Sequence, residues 1–239
     1  MKPISVSLLC AIGVLGHAPV VAAPVGTDAV SQIELEHGGH RYGAVQSPRT
    51  GRIWLDRNLG AQRVCERVED EACFGDYYQW GRPADGHEKA ASPTSKTEAR
   101  TIAPDHGEFV IESDDWTIMD SDGVRRERGW APCPDGFRVP SVAELKAEFF
   151  DEDERLVVTP SASVLKVPAA GFRYGYMDGA HLDAHRTGVL WSATFDKKNY
   201  FGAWSVVFED DAVRLQIDYE TNGFSVRCID DPTRSPGDR

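Results

Sequence analysis

Histidines and carboxylates give this chain most of its chemical capacity, and their spacing decides how far each group can go. His181-x-x-x-His185 would align two imidazoles if the stretch were helical, with Asp183 between them. Gly179 and the thin apolar content nearby argue against a helix, and no third ligand stands at a suitable spacing. Solvated loop histidines are the plainer reading. His37, His40 and the adjacent His87 and Glu88 offer less still. Asp114-Asp115 and Asp120-Ser121-Asp122-Gly123 put four carboxylates and a turn glycine within ten residues. Hard oxygen ligands on such a loop suit Ca²⁺, so Asp115, Asp120 and Asp122 are the candidate metal ligands and calcium the one cofactor to consider. The spacing misses the EF-hand loop, and a charged turn needs no ion to exist. No Gly-x-Ser-x-Gly elbow, phosphate-cradling glycine loop or His-Glu-x-x-His occurs. Asp and Glu are too abundant for any pair to be given acid and base roles. No catalytic residues are assigned.

The elements that must position such groups begin after a leader. Lys2 is the only charge before Asp28, Ile4 to Leu15 is apolar, and Val20-Val21-Ala22 offers a small-residue cleavage site, so residues 1–22 read as an export signal. The apolar run is too short to span a bilayer, and nothing later approaches about 18 apolar residues. The formal charge is −12, and removing one Lys with the leader makes it −13. Such a surface repels nucleic acid and anionic lipid and says nothing positive about a partner. Four cysteines remain: Cys65, Cys73, Cys133 and Cys228. An even count in an exported protein argues for disulfides, and three pairings are possible. The favoured one joins Cys65 to Cys73 around a short acidic loop and Cys133 to Cys228 across 95 positions. The competing tetrathiolate metal site lacks any Cys-x-x-Cys pair.

Along the chain, Tyr42–Val45 and Arg52–Arg57 read as strands about a turn at Ser47-Pro48-Arg49-Thr50-Gly51. Asp76–Trp80 reads as one or two helical turns, and residues 82–108 as a long surface excursion. Ser141-x-x-Glu144 makes a capping box ahead of Val142, Leu145 and Phe149 at helical spacing. The rest reads as β: Val164–Val167, Val189–Thr194, then a hairpin of Ala203–Phe208 and Val213–Tyr219 about Glu209-Asp210-Asp211. Val213, Leu215, Ile217 and Tyr219 alternate onto one face, as do Phe224, Val226 and Cys228. Trp54, Trp191 and Trp204 suit a small core, Gly136 and Gly171 suit tight turns, and Arg138 and Arg227 suit buried acids or carbonyls.

Several of these segments, in this order, resemble the Fibrobacter succinogenes major paralogous domain. They are Tyr42 with Gly51-Arg-Ile-Trp-Leu-Asp-Arg-Asn-Leu-Gly60, Gly75-Asp-Tyr-Tyr-Gln-Trp-Gly-Arg82 and Cys133-Pro-Asp-Gly-Phe-Arg-Val-Pro-Ser141. Pro168-Ala-Ala-Gly-Phe-Arg173, Leu190-Trp-Ser192 and Ser225-Val-Arg-Cys228 complete the set. The resemblance runs from about Tyr42 to Asp230. It implies an exported bacterial protein with a fold similar to the C-type-lectin-like domain and the formylglycine-generating-enzyme group. The enzymes of that group use a C-terminal cysteine pair or a histidine triad, and this chain departs from both patterns. In that wider group ligands meet long loops, which here are Tyr174–Thr187 and Phe195–Gly202. The resemblance therefore points to Tyr174, Tyr176, Asp178, Asp183, Lys198, Asn199, Tyr200 and Phe201 as ligand-binding residues. Aromatic rings beside amides and charges can stack on a sugar face or anchor a protein.

Pattern and resemblance together predict a single α+β domain over residues 41–231, C-type-lectin-like and disulfide-stapled. Residues 23–40 form its N-terminal lead-in and residues 232–239 its tail. The expected function is non-catalytic recognition or adhesion outside the cytoplasm, in the periplasm, at the cell surface or secreted. The partner is an extracellular glycan or protein, with no nucleic acid and no transmembrane segment. The alternatives are a metal-dependent enzyme using His181 and His185, and a structural component of a surface assembly.

Overall fold

The Ser47–Gly51 turn closes as its sequence requires. The Ser47 hydroxyl accepts the amides of Arg49 and Thr50, and Gly51 turns the chain at φ 70°. In the computed structural model, which describes residues 33–97, 104, 106–113, 132–160, 162–196, 202–210 and 212–233, this hairpin belongs to an antiparallel sheet. Its strands are β1 (Glu34–His37), β2 (His40–Gln46), β3 (Ile53–Leu55), β14 (Ile229–Asp230) and β7 (Phe137–Arg138), in that spatial order. The ladder thus begins at Glu34, inside the stretch read as a lead-in. The last strand sits between β3 and β7, with Ile229 in register with both Trp54 and Arg138.

One of the two cystines holds it there. Cys133 and Cys228 are bonded with their Cα atoms 5.9 Å apart, and Cys65 and Cys73 are bonded at 5.2 Å. Both are the favoured pairs.

The longest strands form a second antiparallel sheet in the order β10 (Thr187–Phe195), β11 (Gly202–Glu209), β12 (Ala212–Tyr219). Because side chains alternate, this sheet divides the core. Val189, Trp191, Ala203 and Val207 pack toward Tyr42, Phe224 and Val226. Leu190, Val206 and Phe208 pack on the other face against Leu145 and Phe149 of α1 (Val142–Phe149), with Trp54 and Ile229 alongside. The rings of Phe149 and Phe208 meet edge to face at 5.0 Å. A third sheet runs β4 (Tyr78–Gln79), β13 (Gly223–Phe224), β8 (Phe172–Arg173), β9 (His181–Leu182). Two short parallel strands, β5 (Thr94–Ser95) and β6 (Phe109–Val110), pair with each other and meet this sheet through the Gln79 side chain, which bonds Val110.

Helix α1 starts where its cap predicts. The Ser141 hydroxyl accepts the Glu144 amide at 3.2 Å, and the Glu144 carboxylate accepts the Ser141 amide at 2.9 Å. That carboxylate also takes Arg138 in a two-pronged pair and Arg52, whose guanidinium continues to Asp230. One acid therefore caps the helix and ties it to the first sheet. Among the described residues α1 is the single α-helix, and the fold is mostly β, an α+β architecture stapled by two disulfides. No helix there is long and apolar enough to cross a membrane.

Three local expectations fail. Asp76–Trp80 is not helical: Tyr78 and Gln79 are extended and pair with β13, so partners far along the chain outweigh the local pattern. Val164–Val167 forms no strand, because Leu165 and Val167 reach the core from a turn closed by the Lys166 amide on the Ser163 carbonyl. The third fails in part: within 82–108 many described residues are exposed, as a surface excursion requires, but Arg82, His87, Glu88 and Ser95 are buried and anchor the segment.

Candidate functional site

A chain of rings leads from the core to the surface at one end of the β10–β11–β12 sheet. Trp191, fully buried, donates its indole N–H to the Tyr78 carbonyl and lies 4.2 Å from Phe224. Phe224 meets Phe172 at 5.7 Å, Phe172 meets Tyr174 at 6.2 Å, and Tyr174 meets Tyr176 at 5.9 Å. Tyr176 then meets Tyr219 at 5.1 Å, and Tyr219 is 48% exposed. These are edge-on and tilted contacts, the arrangements that the ring quadrupole favours. The inner rings hold the outer ones in place, so an incoming ligand need not order them.

The turn carrying Tyr174 and Tyr176 is fixed from beneath by Arg173. This buried guanidinium donates to the Gly179 carbonyl, to the Ser92 hydroxyl and to the Ser92 carbonyl, and it lies over the Phe109 ring at 4.1 Å. Burial lowers its pKa from the usual arginine value. Gly179 is required here, because a β-carbon would come within 2.6 Å of the Thr94 methyl and 3.2 Å of the Arg173 guanidinium. Asp178, beside it, takes left-handed backbone at φ 48°, which aspartate tolerates better than most residues. Met177 at the tip is 57% exposed.

The structure thus brings together three of the residues expected to bind ligand, Tyr174, Tyr176 and Asp178, on one turn. It sets Asp183 at the other end of the β8–β9 ladder, where Phe172 pairs with Leu182 and Arg173 with His181. Lys198, Asn199, Tyr200 and Phe201 lie outside the described residues. The ends of their loop do not: the Asp196 amide bonds the Gly202 carbonyl, and Gly202 stands in register with Tyr219. Both loops singled out in the sequence therefore reach the same end of the sheet. The alternation places Tyr219 on one face of its strand with Val213, Leu215 and Ile217, without saying how far along that face is covered. The sheet outruns α1, so Val213 and Leu215 are covered while Ile217 and Tyr219 emerge.

The metal candidates fare differently. Asp115, Asp120 and Asp122 lie outside the described residues. His181 bonds the Ala90 carbonyl and meets the Tyr77 ring at 4.9 Å, whereas His185 bonds the Glu69 carbonyl and packs on Phe74. The two imidazoles serve different segments, on β9 and the turn after it rather than on a helix. Among the described residues the group able to surround a cation is Asp85, His87 and Glu88. Its geometry suits a buried hydrogen-bond network better. The His87 Nδ1–H donates to Asp85 at 2.7 Å, and Nε2 accepts the Gln79 amide at 3.1 Å. Glu88 accepts the Gly86 amide, and Arg82 already supplies a cation to Asp85 at 2.9 Å. Burial lowers the His87 pKa, against the opposing pull of Asp85. Sequence spacing gave little sign of this network, because Gln79 and Arg82 enter it from outside the Asp85–Glu88 run.

No family model, no curated protein and no solved structure matches this chain.

Proposed function

We propose that this protein is an exported, non-catalytic recognition module that binds a glycan through the aromatic row Tyr174–Tyr176–Tyr219 and the loop beside it. The observation that carries this reading is the row itself. Rings held in position from the core and partly exposed at the surface provide apolar faces for sugar C–H groups, and Asp178 on the same turn supplies a carboxylate for hydroxyls. We take the scaffold to be C-type-lectin-like, of the Fibrobacter succinogenes major paralogous kind. The hairpin opening, the Arg138–Glu144 capped helix and the cystine joining its launching turn to the final strand support that assignment.

The test is a glycan array probed with and without a chelator, using the wild-type chain, Tyr176→Ala and Tyr219→Ala. Binding that both variants lose supports the site, and its loss on chelation brings in calcium, for which Asp115, Asp120 and Asp122 remain the candidates. A blank array under both conditions defeats the sugar reading and leaves protein adhesion for the same row. Stoichiometric iron, copper or zinc in the purified protein would favour a metal-dependent enzyme instead.

A further inference from the structure

The outer edge of β12 is eight residues long and runs in unbroken register along β11, and among the described residues nothing pairs with its other side. Long open edges are usually blunted by proline, by a bulge or by inward-pointing charges, because they template another strand. This edge has no proline and no bulge, and its charges are arranged symmetrically. Reading Val213-Arg214-Leu215-Gln216-Ile217-Asp218-Tyr219 against its own reverse sets Arg214 opposite Asp218 twice, with Gln216 opposite itself. On the alternate face the same register sets Leu215 opposite Ile217 and Val213 opposite Tyr219. Like charges never meet.

We propose that β12 is a self-complementary docking strand at which two copies of this chain pair antiparallel, with Gln216 of each on the twofold axis. The reading goes beyond ligand recognition and does not depend on it. Directly opposed side chains decide whether two strands pair well, and here every opposed pair is either apolar, amide with amide, or opposite in charge. Ile217, 37% exposed, would be covered, and Tyr219, 48% exposed, would face Val213 of the second copy, so pairing here and ligand binding at that ring would compete. Arg214 is free to turn outward, since its present partners Glu209 and Gln216 hold it only at the surface. Asp218, bonded by Ser205 and Gln216, has its pKa raised because burial outweighs those bonds. A second copy's Arg214, directly opposite, would add a close cationic partner to the distant pull of this chain's own Arg214. A twofold pairing is isologous and closes at two copies, so the edge is consumed and does not seed a fibre.

Sedimentation of the mature chain over a concentration series should show a monomer–dimer equilibrium. Arg214→Asp faces Asp218 with a second carboxylate in both pairs and should weaken the dimer about tenfold or more. Ile217→Lys should act in the same direction, and the near-UV circular dichroism of both variants checks that they remain folded. Gln216→Cys gives a decisive measurement of register. Opposed residues in an antiparallel pair have Cα atoms about 4.5 or 5.5 Å apart, within disulfide reach, so mild oxidation should yield a covalent dimer. Arg214→Cys, which faces Asp218, should not. A chain that stays monomeric at every concentration overturns the proposal. So does a dimer indifferent to Arg214→Asp, or one that crosslinks equally from both positions.

Discussion

Arg227 is buried completely, and its hydrogen bonds go to neutral oxygens, the Asn58 side chain and the Leu165 carbonyl. Burial brings its pKa down to about 9, so the guanidinium stays charged at neutral pH. Arg227→Met should therefore destabilise by about 3 kcal/mol in urea melts, because two buried acceptors lose their donor. Glu144 behaves oppositely. Burial would raise its pKa, but the bonds from Arg138, Ser141 and Arg52 outweigh that and hold it at about 2. A carboxylate depressed in the folded state stabilises above its unfolded value and loses that contribution as the pH falls from about 4.5 toward about 2. Allowing for solvent at this half-buried site, about 1–2 kcal/mol should disappear across that window, and Glu144→Gln should flatten the dependence. His87 adds to the acid sensitivity. Its folded pKa lies below 6.5, so the unfolded chain binds the extra proton first and stability declines as the pH drops under that value. Nitrogen NMR should find the Nδ1–H tautomer, because Nε2 accepts an amide. A tautomer protonated at Nε2 would refute the assignment.

At the scale of elements, local chemistry was readable and distant pairing was not. Ser141 and Glu144 lie three residues apart and complete each other's bonds, so the helix start could be read directly. Ser141→Ala should cost about 1 kcal/mol in a chemical melt. The Ser47–Gly51 turn was legible for the same reason. Asp76–Trp80 was not, because its conformation is set by Gly223 and Phe224, which pair with Gln79 and Tyr78 from the far end of the chain. Leu165 and Val167 look like strand residues since both are buried, but burial from a turn leaves the same apolar signature. Of the site, Tyr174 and Tyr176 were marked through a family resemblance. Tyr219 was missed because alternation reports a face and not where the covering helix ends. Gly171 carries a sharper message. It sits at φ 66°, and a β-carbon there would come 2.2 Å from the Leu182 carbonyl oxygen and 2.5 Å from the Ala184 amide nitrogen, backbone that cannot easily give way. Gly171→Ala should cost more than about 2 kcal/mol by thermal unfolding, far above an ordinary alanine substitution.

For the whole molecule, the two cystines differ in what they hold. Cys65–Cys73 closes a loop of eight positions, and Cys133–Cys228 one of 95. In the chain-entropy account the longer closure is worth up to about 4.7 kcal/mol. Replacing both of its cysteines with serine should lower the melting temperature far more than replacing the shorter pair. Non-reducing peptide mapping should recover both crosslinks, and Cys228 joined to a cysteine other than Cys133 would contradict the placement of β14 between β3 and β7.

That placement has a mechanical consequence. If the chain were held at one end and pulled at the other, as an adhesin is under flow, tension would travel through the Cys133–Cys228 bond and bypass the 95 positions between them. About 330 Å of contour would stay hidden from the load, at roughly 3.5 Å per residue. Tyr174, Tyr176 and Tyr219 all lie within that span of the chain. A stretched molecule would lose the strands before Cys133 ahead of the β10–β11–β12 sheet.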